Sequence, residues 1–293
     1  VTLFCLRPPV AGAGREAAWI AYLAPAYARF GAQPPTGLIE AYPSYLVNAE
    51  MHAMLLEERP PVVSFHFGLP DAGRIADLRR AGIVLLATAT NLAEARAIEA
   101  AGIDAVVAQG IEAGGHRGLF DPDAPDQRLS TFAPARQLVQ ELVVPVIAAG
   151  GIMDGAGIAA VLALGAGAAQ LGTAFLPCPE SAADDAYRAA LLGDAARTTT
   201  LTKVISGRPA RGMVNEFITL GESPDAPPVP DFPIAYDAER ALNRAAKASG
   251  DAGYAAQWAG QGAPLSRAMP AANLVATLRA ELAGAAARLA AIV

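Results

Sequence analysis

The chain has 293 residues, 53% of them hydrophobic, with a formal net charge of −6. That length accommodates a barrel with an added lobe, and the acidic balance provides no basic field for nucleic acid. The two cysteines, Cys5 and Cys178, are too few for a disulfide framework and stand at no metal-type spacing, which fits a reducing cytoplasm and no metal site.

In chain order, apolar runs recur at VTLFCL (1–6), VVSFHF (62–67), IVLLAT (83–88), AVVAQ (105–109), PVIAAG (145–150) and AAQLGTAF (168–175). They are apolar at nearly every position rather than alternating, the pattern of parallel strands covered on both faces. Helical periodicity fills the intervals. DAGRIADLRRAG sets Ile75 and Leu78 on one face, and NLAEARAIEAAG aligns Leu92, Ala95 and Ile98 before stopping at Gly102. APARQLVQELVV and DGAGIAAVLALGAG follow the same scheme. This βαβα rhythm predicts a parallel α/β fold.

Residues 155–179 carry no charge and are long enough to span a bilayer. Their glycines, and their division into GIAAVLALG and AAQLGTAF, predict a buried α/β unit instead. The opening VTLFCLRPPV lacks the basic start of a signal peptide. It also begins inside an apparent strand without an initiator Met. A closed (β/α)8 barrel needs eight strands. With six runs visible, the expectation is a TIM-type (β/α)8 barrel over 1–179 whose first strands precede Val1. Residues 180–265 read as an inserted, mostly helical lobe and loop, with the basic run TKVISGRPARG and the proline-rich GESPDAPPVPDFP. Residues 266–293 read as an amphipathic helix packing back on the barrel.

Function in such folds gathers at the C-terminal ends of the strands. His66 ends the second run, and AQGIEAGGHRG places Glu112, His116 and Arg117 among glycines after the fourth. His52 falls in a helical pattern and reads as structural. Glycines around His116 would let a flat ring pass close to the backbone, and a histidine there can serve as base, acid or hydrogen-bond donor. Glu112 reads as a tie within the loop and Arg117 as an ion-pair residue. Gly150 and Gly151, then Gly172 and Thr173, lie in consecutive units, the arrangement that presents backbone N–H groups to a phosphate. Tight turns alone are the plainer alternative for those glycines.

AQGIEAGGHRG, followed by PVIAAGGI and AAQLGTAF, resembles the nitronate monooxygenase family, formerly called 2-nitropropane dioxygenases. SGRPARG and WAGQG match as well, so the resemblance covers essentially the whole chain. It implies a barrel that binds FMN without covalent attachment. Gln109, Gly114 and Gly115 would then contact the flavin; Gly150, Gly151 and the stretch Gln170, Leu171, Gly172 and Thr173 would hold its phosphate end. His116 would sit beside the reactive face and the substrate nitro group, and Tyr42 and His66 would line the same pocket. Thr2 stands in VTLF where the family usually shows VNLF, replacing an asparagine expected to touch the flavin. Phe67, Met213 and Trp258 are candidates for the pocket wall. The implied reaction is oxidation of an alkyl nitronate or nitroalkane by O2 to a carbonyl compound and nitrite. The implied partners are a small nitro compound and O2, without nucleic acid or membrane; a homodimer is one open assembly. An FMN-dependent NAD(P)H reductase of enoyl-thioester or quinone type is the competing enzyme. A non-flavin barrel would need a lysine or glutamate at a strand end, and the runs above hold none, Lys203 and Lys247 both lying in the added lobe. A non-catalytic binding protein is the last alternative.

Overall fold

A computed structural model describes residues 1–10 and 12–291. Among them the strands are, in chain order, β1 (Thr2–Phe4), β2 (Val62–His66), β3 (Val84–Ala89), β4 (Ala105–Gln109), β5 (Gly115–His116), β6 (Val146–Ala149), β7 (Ala168–Gln170), β8 (Thr199–Thr202) and β9 (Ala210–Met213). The helices that position the site are α1 (Ala13–Arg29), α2 (Ala49–Glu58), α3 (Ala72–Arg80), α4 (Leu92–Ala100), α5 (Phe132–Glu141) and α6 (Gly155–Ala163). After β7 come α7 (Asp185–Leu192), α8 (Glu216–Gly221), α9 (Ala235–Ala248) and α10 (Ala271–Ala290).

All six apolar runs become strands of one parallel sheet, ordered β1-β2-β3-β4-β6-β7. The register pairs Phe4 with His66, Gln109 with Ala149, and Ala149 with Gln170. The C-terminal strand ends therefore lie level along one rim. Burial on both faces explains the continuous apolar pattern: every residue of β4 is buried. The helices between strands start at side-chain caps. Asp71, Asn91 and Asp154 each accept the backbone N–H three residues on, at 2.8–3.0 Å. Gly102 takes φ +77° directly after the last residue of α4 and its cap, the left-handed position that ends a helix.

The uncharged segment divides into α6 and β7, and no described helix is long and apolar enough to cross a membrane. The C-terminal helix packs on α6: the N–H of Gly155 donates to Glu281 Oε2 at 2.9 Å, and Arg267 pairs with Glu281 at 2.5 Å. Residues 292 and 293 of that expected helix lie outside the described residues. The added region is less helical than its sequence implies. β8 and β9 form an antiparallel hairpin, and β9 pairs with β5 so that His116 lies opposite Ala210. The lobe is thereby stitched to the histidine loop. Its remaining helices bury Leu242, Ala246 and Phe217 against Trp19, Leu23 and Tyr27 of α1.

Candidate active site

The glycine–histidine loop is fixed from below by Arg117, 1% exposed. Its guanidinium takes Asp126 bidentately at 2.9 Å through both Nε and Nη2. Nη1 donates to the backbone carbonyls of Gln109 and Gly110 and to Gln109 Oε1. That places the Gln109 amide: Oε1 also accepts from Gly118 N, and Nε2 donates to the His116 carbonyl at 2.9 Å. His66 Nε2 meets the same carbonyl at 3.2 Å. A carbonyl only accepts, so His66 Nε2 carries the proton. Glu112 ties the loop as its sequence suggests, accepting both N–H and Oγ1–H of Thr131 at 2.7 Å. His52 is held in α2 by Tyr45 at 2.8 Å and Asp77 at 3.3 Å, away from the rim.

His116 is enclosed by aromatic rings. Phe232, Trp258 and Phe67 have centroids 5.0, 5.2 and 5.6 Å from its own. Phe67 holds φ +73°, an uncommon backbone conformation for so bulky a residue, directly after β2. Burial pulls the His116 pKa down to about 3, with the nearby His66 and Arg208 acting in the same direction. Burial also brings His66 down to about 4, against the opposing hydrogen bond to His116. Both rings are therefore neutral near pH 7. His116 Nε2 lies 2.9 Å from Ser206 Oγ, which is in turn 3.2 Å from the Arg208 carbonyl. When the serine proton goes to that carbonyl, His116 Nε2–H donates to Oγ and Nδ1 keeps its lone pair. When the serine donates to His116, Nδ1 carries the proton.

His116 opens onto a cleft of about 330 Å³ at the C-terminal ends of the strands. Of the expected residues, Thr2, His66, Gln109, Gly114 and Gly115 line it with His116. Gly150, Gly151, Gln170, Gly172 and Thr173 line the other end. Leu171, Tyr42 and the three candidates for the wall stand outside the lining. Leu171, just past the end of β7, packs instead against the clusters that hold Ile152 and Val161 on one side and Leu274 on the other. Tyr42 lies one ring behind the wall, 5.9 Å from Phe4, and burial pushes its phenol pKa above the ordinary range. Phe67 and Trp258 pack on His116 rather than lining the cleft, and Met213 is buried elsewhere, beside Leu191 and Ala259. Sequence reasoning missed Phe4, Ser64, Thr88, Met153, Gly260 and Gly262 as lining residues. The last two lie in WAGQG, whose match was visible but whose position was not.

The donor set of the cleft is specific. Among the described residues it contains no carboxylate, lysine or arginine; its ionisable groups are the two histidines. The N–H groups of Gly151 and Gly172 donate to no acceptor among the described residues. A Cβ added at Gly172 would meet nothing within 4 Å, so the backbone there borders open space. Gly114, by contrast, packs so closely on the WAGQG segment that a Cβ would lie 2.5 Å from Gly260 N. Gly260 N itself donates to Thr173 Oγ1 at 3.0 Å, joining the two ends of the site. Free backbone N–H groups at one end and neutral amides and hydroxyls at the other suit a flat, hydrogen-bonding ring that carries an anionic group. Among the described residues no cluster of His, Cys, Asp or Glu could hold a metal ion.

A parallel α/β sheet of barrel type with its cleft at the strand C-termini defines the chain as a barrel enzyme. It belongs to the nitronate monooxygenase family, whose sequence profile matches residues 40–281. A nitronate monooxygenase from Paraburkholderia phytofirmans is 61% identical over 96% of this chain and 77% of its own length. One from Pseudomonas aeruginosa is 54% identical over 97% of this chain and 81% of its own. The solved nitroalkane oxidase from Streptomyces ansochromogenes superposes with a TM-score of 0.88 at 42% identity, covering 98% of this chain and 81% of that one. FabK from Thermotoga maritima superposes with a TM-score of 0.69 at 26% identity, covering 100% and 96%. The chain is accordingly an oxidoreductase of a family that oxidises nitronates and nitroalkanes.

Proposed function

We propose that the cleft binds FMN and that the chain oxidises alkyl nitronates, and nitroalkanes once deprotonated, with O2 to a carbonyl compound and nitrite. The observation that carries this reading is a neutral His116 at one end of a cleft whose other end presents free backbone N–H groups. When bound, FMN supplies the electron-transfer chemistry that side chains lack. Thr2, Gln109, Gly114 and Gly115 would hold its ring, and Gly150, Gly151, Gln170, Gly172 and Thr173 its phosphate end, Leu171 supporting them through packing. Gln109 brings one remaining amide proton, the other being spent on the His116 carbonyl. Thr2 brings a hydroxyl, with shorter reach than an asparagine amide.

His116 has two tautomers and two tasks. With Nε2–H on Ser206, Nδ1 can take the α-proton of a neutral nitroalkane. With Nδ1 protonated, it donates to a nitronate oxygen and holds the anion. His66 positions this ring through the His116 carbonyl, and Tyr42 backs the wall through Phe4. The reaction belongs to a reducing cytoplasm, where Cys5 and Cys178 stay thiols.

The test is a visible spectrum of the FMN-loaded protein under anaerobic conditions. Propyl-2-nitronate should bleach the flavin and NADH should leave it coloured. Bleaching by NADH alone would replace this reading with the NAD(P)H reductase, and a protein that takes up no FMN would remove both.

A further inference from the structure

We propose that a groove behind the Phe67–Phe232 wall binds a small phosphate monoester with an apolar body, held by Arg208 and Lys203. The groove has a volume of about 520 Å³ and shares no lining residue with the active-site cleft. It runs between the loop after β1, Pro122–Asp123, the β8–β9 turn and the segment before α9. Four cations line it against two carboxylates. Two of the cations are already spent: Arg15 pairs with Asp231 at 2.8 Å and Arg7 with Asp121 at 2.6 Å. Lys203 and Arg208 have no carboxylate within 4.0 Å among the described residues.

Arg208 is the unusual member. It is 5% exposed, its guanidinium stacks 4.1 Å over the Phe67 ring, and one amino group reaches the Leu119 carbonyl. Its Nε has no acceptor. Burial, then repulsion from Arg7, pulls its pKa down to about 10, which leaves it charged at neutral pH. A buried guanidinium without a paired carboxylate is costly, and an oxyanion in the groove offsets that cost. Two unpaired cations match the dianion that a phosphate monoester carries above its second ionisation. Leu6, Pro8, Pro9, Pro228 and Val229 supply apolar walls for the ester group.

The experiment is calorimetric titration of the FMN-saturated protein with phenyl phosphate, and separately with inorganic phosphate, at pH 8 and constant ionic strength. We expect one saturable phenyl phosphate site, about tenfold or more tighter than inorganic phosphate, and weakened about tenfold in Lys203→Ala and in Arg208→Gln. Absence of saturable binding, equal affinity for the two probes, or binding indifferent to both substitutions would overturn the proposal. Binding that FMN abolishes and that both substitutions leave unchanged would also overturn it, because the phosphate would then sit in the cleft. Should Arg208→Gln fail to fold, Arg208→Lys and Lys203→Ala carry the same comparison. The proposal stands apart from the flavin reading: a protein that takes up no FMN still reports on the groove through these variants.

Discussion

The fold withholds a proton from His116, which suits the role proposed for it. The folded pKa of about 3 lies below the ordinary 6.5, so on acidification the unfolded chain takes up the proton first. Stability from this group is complete above pH 6.5 and is lost as pH falls toward 3; His66, at about 4, behaves likewise. By pH 5 the loss is about 2 kcal/mol for each histidine. Burial raises the Glu239 pKa to about 7 and opposes this loss over the same window, so the check is the change in urea midpoint from pH 8 to pH 5 in the parent against that in His116→Gln; equal changes would show that the ring is not held neutral. For catalysis, His116→Ala should lower nitroalkane turnover by about 10²–10⁴-fold. Nitronate turnover, which needs no proton removed, should fall less; equal losses would leave His116 an orienting role alone. Ser206 opens the matching SGRPARG run, but nothing local says that it will meet a histidine ninety positions away.

Among the elements, the two glycine-bearing ends of the cleft respond differently to one added methyl. Gly114→Ala drives a Cβ into the backbone of Ala259 and Gly260 and should cost about 1–3 kcal/mol in urea denaturation. Gly172→Ala meets no protein atom, so stability should hold while FMN retention weakens. A Gly172→Ala protein that retains FMN like the parent would move the phosphate end elsewhere. The elements also differ in how far the sequence announces them. The parallel strands are legible because burial on both faces writes itself as unbroken apolar runs, and α3, α4 and α6 because Asp71, Asn91 and Asp154 mark their starts. β5, β8 and β9 are not legible: two residues, TTLT and ARGM carry no period, and they pair only after the lobe folds onto the loop. α1 hides behind an internal Pro25. Leu171 was readable in principle, because an apolar side chain between Gln170 and Gly172 has packing as its plainer role. Tyr42 rests on motif likeness, which does not report that Phe4 stands in front of it.

At the level of the whole molecule, the site is assembled from distant parts of the chain, and Gln261 N closes it by donating to the Glu112 carbonyl at 2.9 Å. The C-terminal helix braces the sheet from outside through Gly155, where a Cβ would lie 2.2 Å from Leu282 N. Gly155→Ala should lower the thermal midpoint by several degrees through a loss of about 1–3 kcal/mol, with FMN uptake unchanged in the cold. An unshifted midpoint would mean that α10 does not bear on α6. The lining of the cleft has a further effect on traffic. With no fixed cation to draw in a nitronate, capture should follow shape and hydrogen bonding, and KM should change by less than about twofold from low to high ionic strength. Nitrite, the product of the proposed reaction, is a small anion in a chamber whose described lining offers its charge no resident counter-ion. Turnover is then spared the slow step of prising a charged product away from a charged wall.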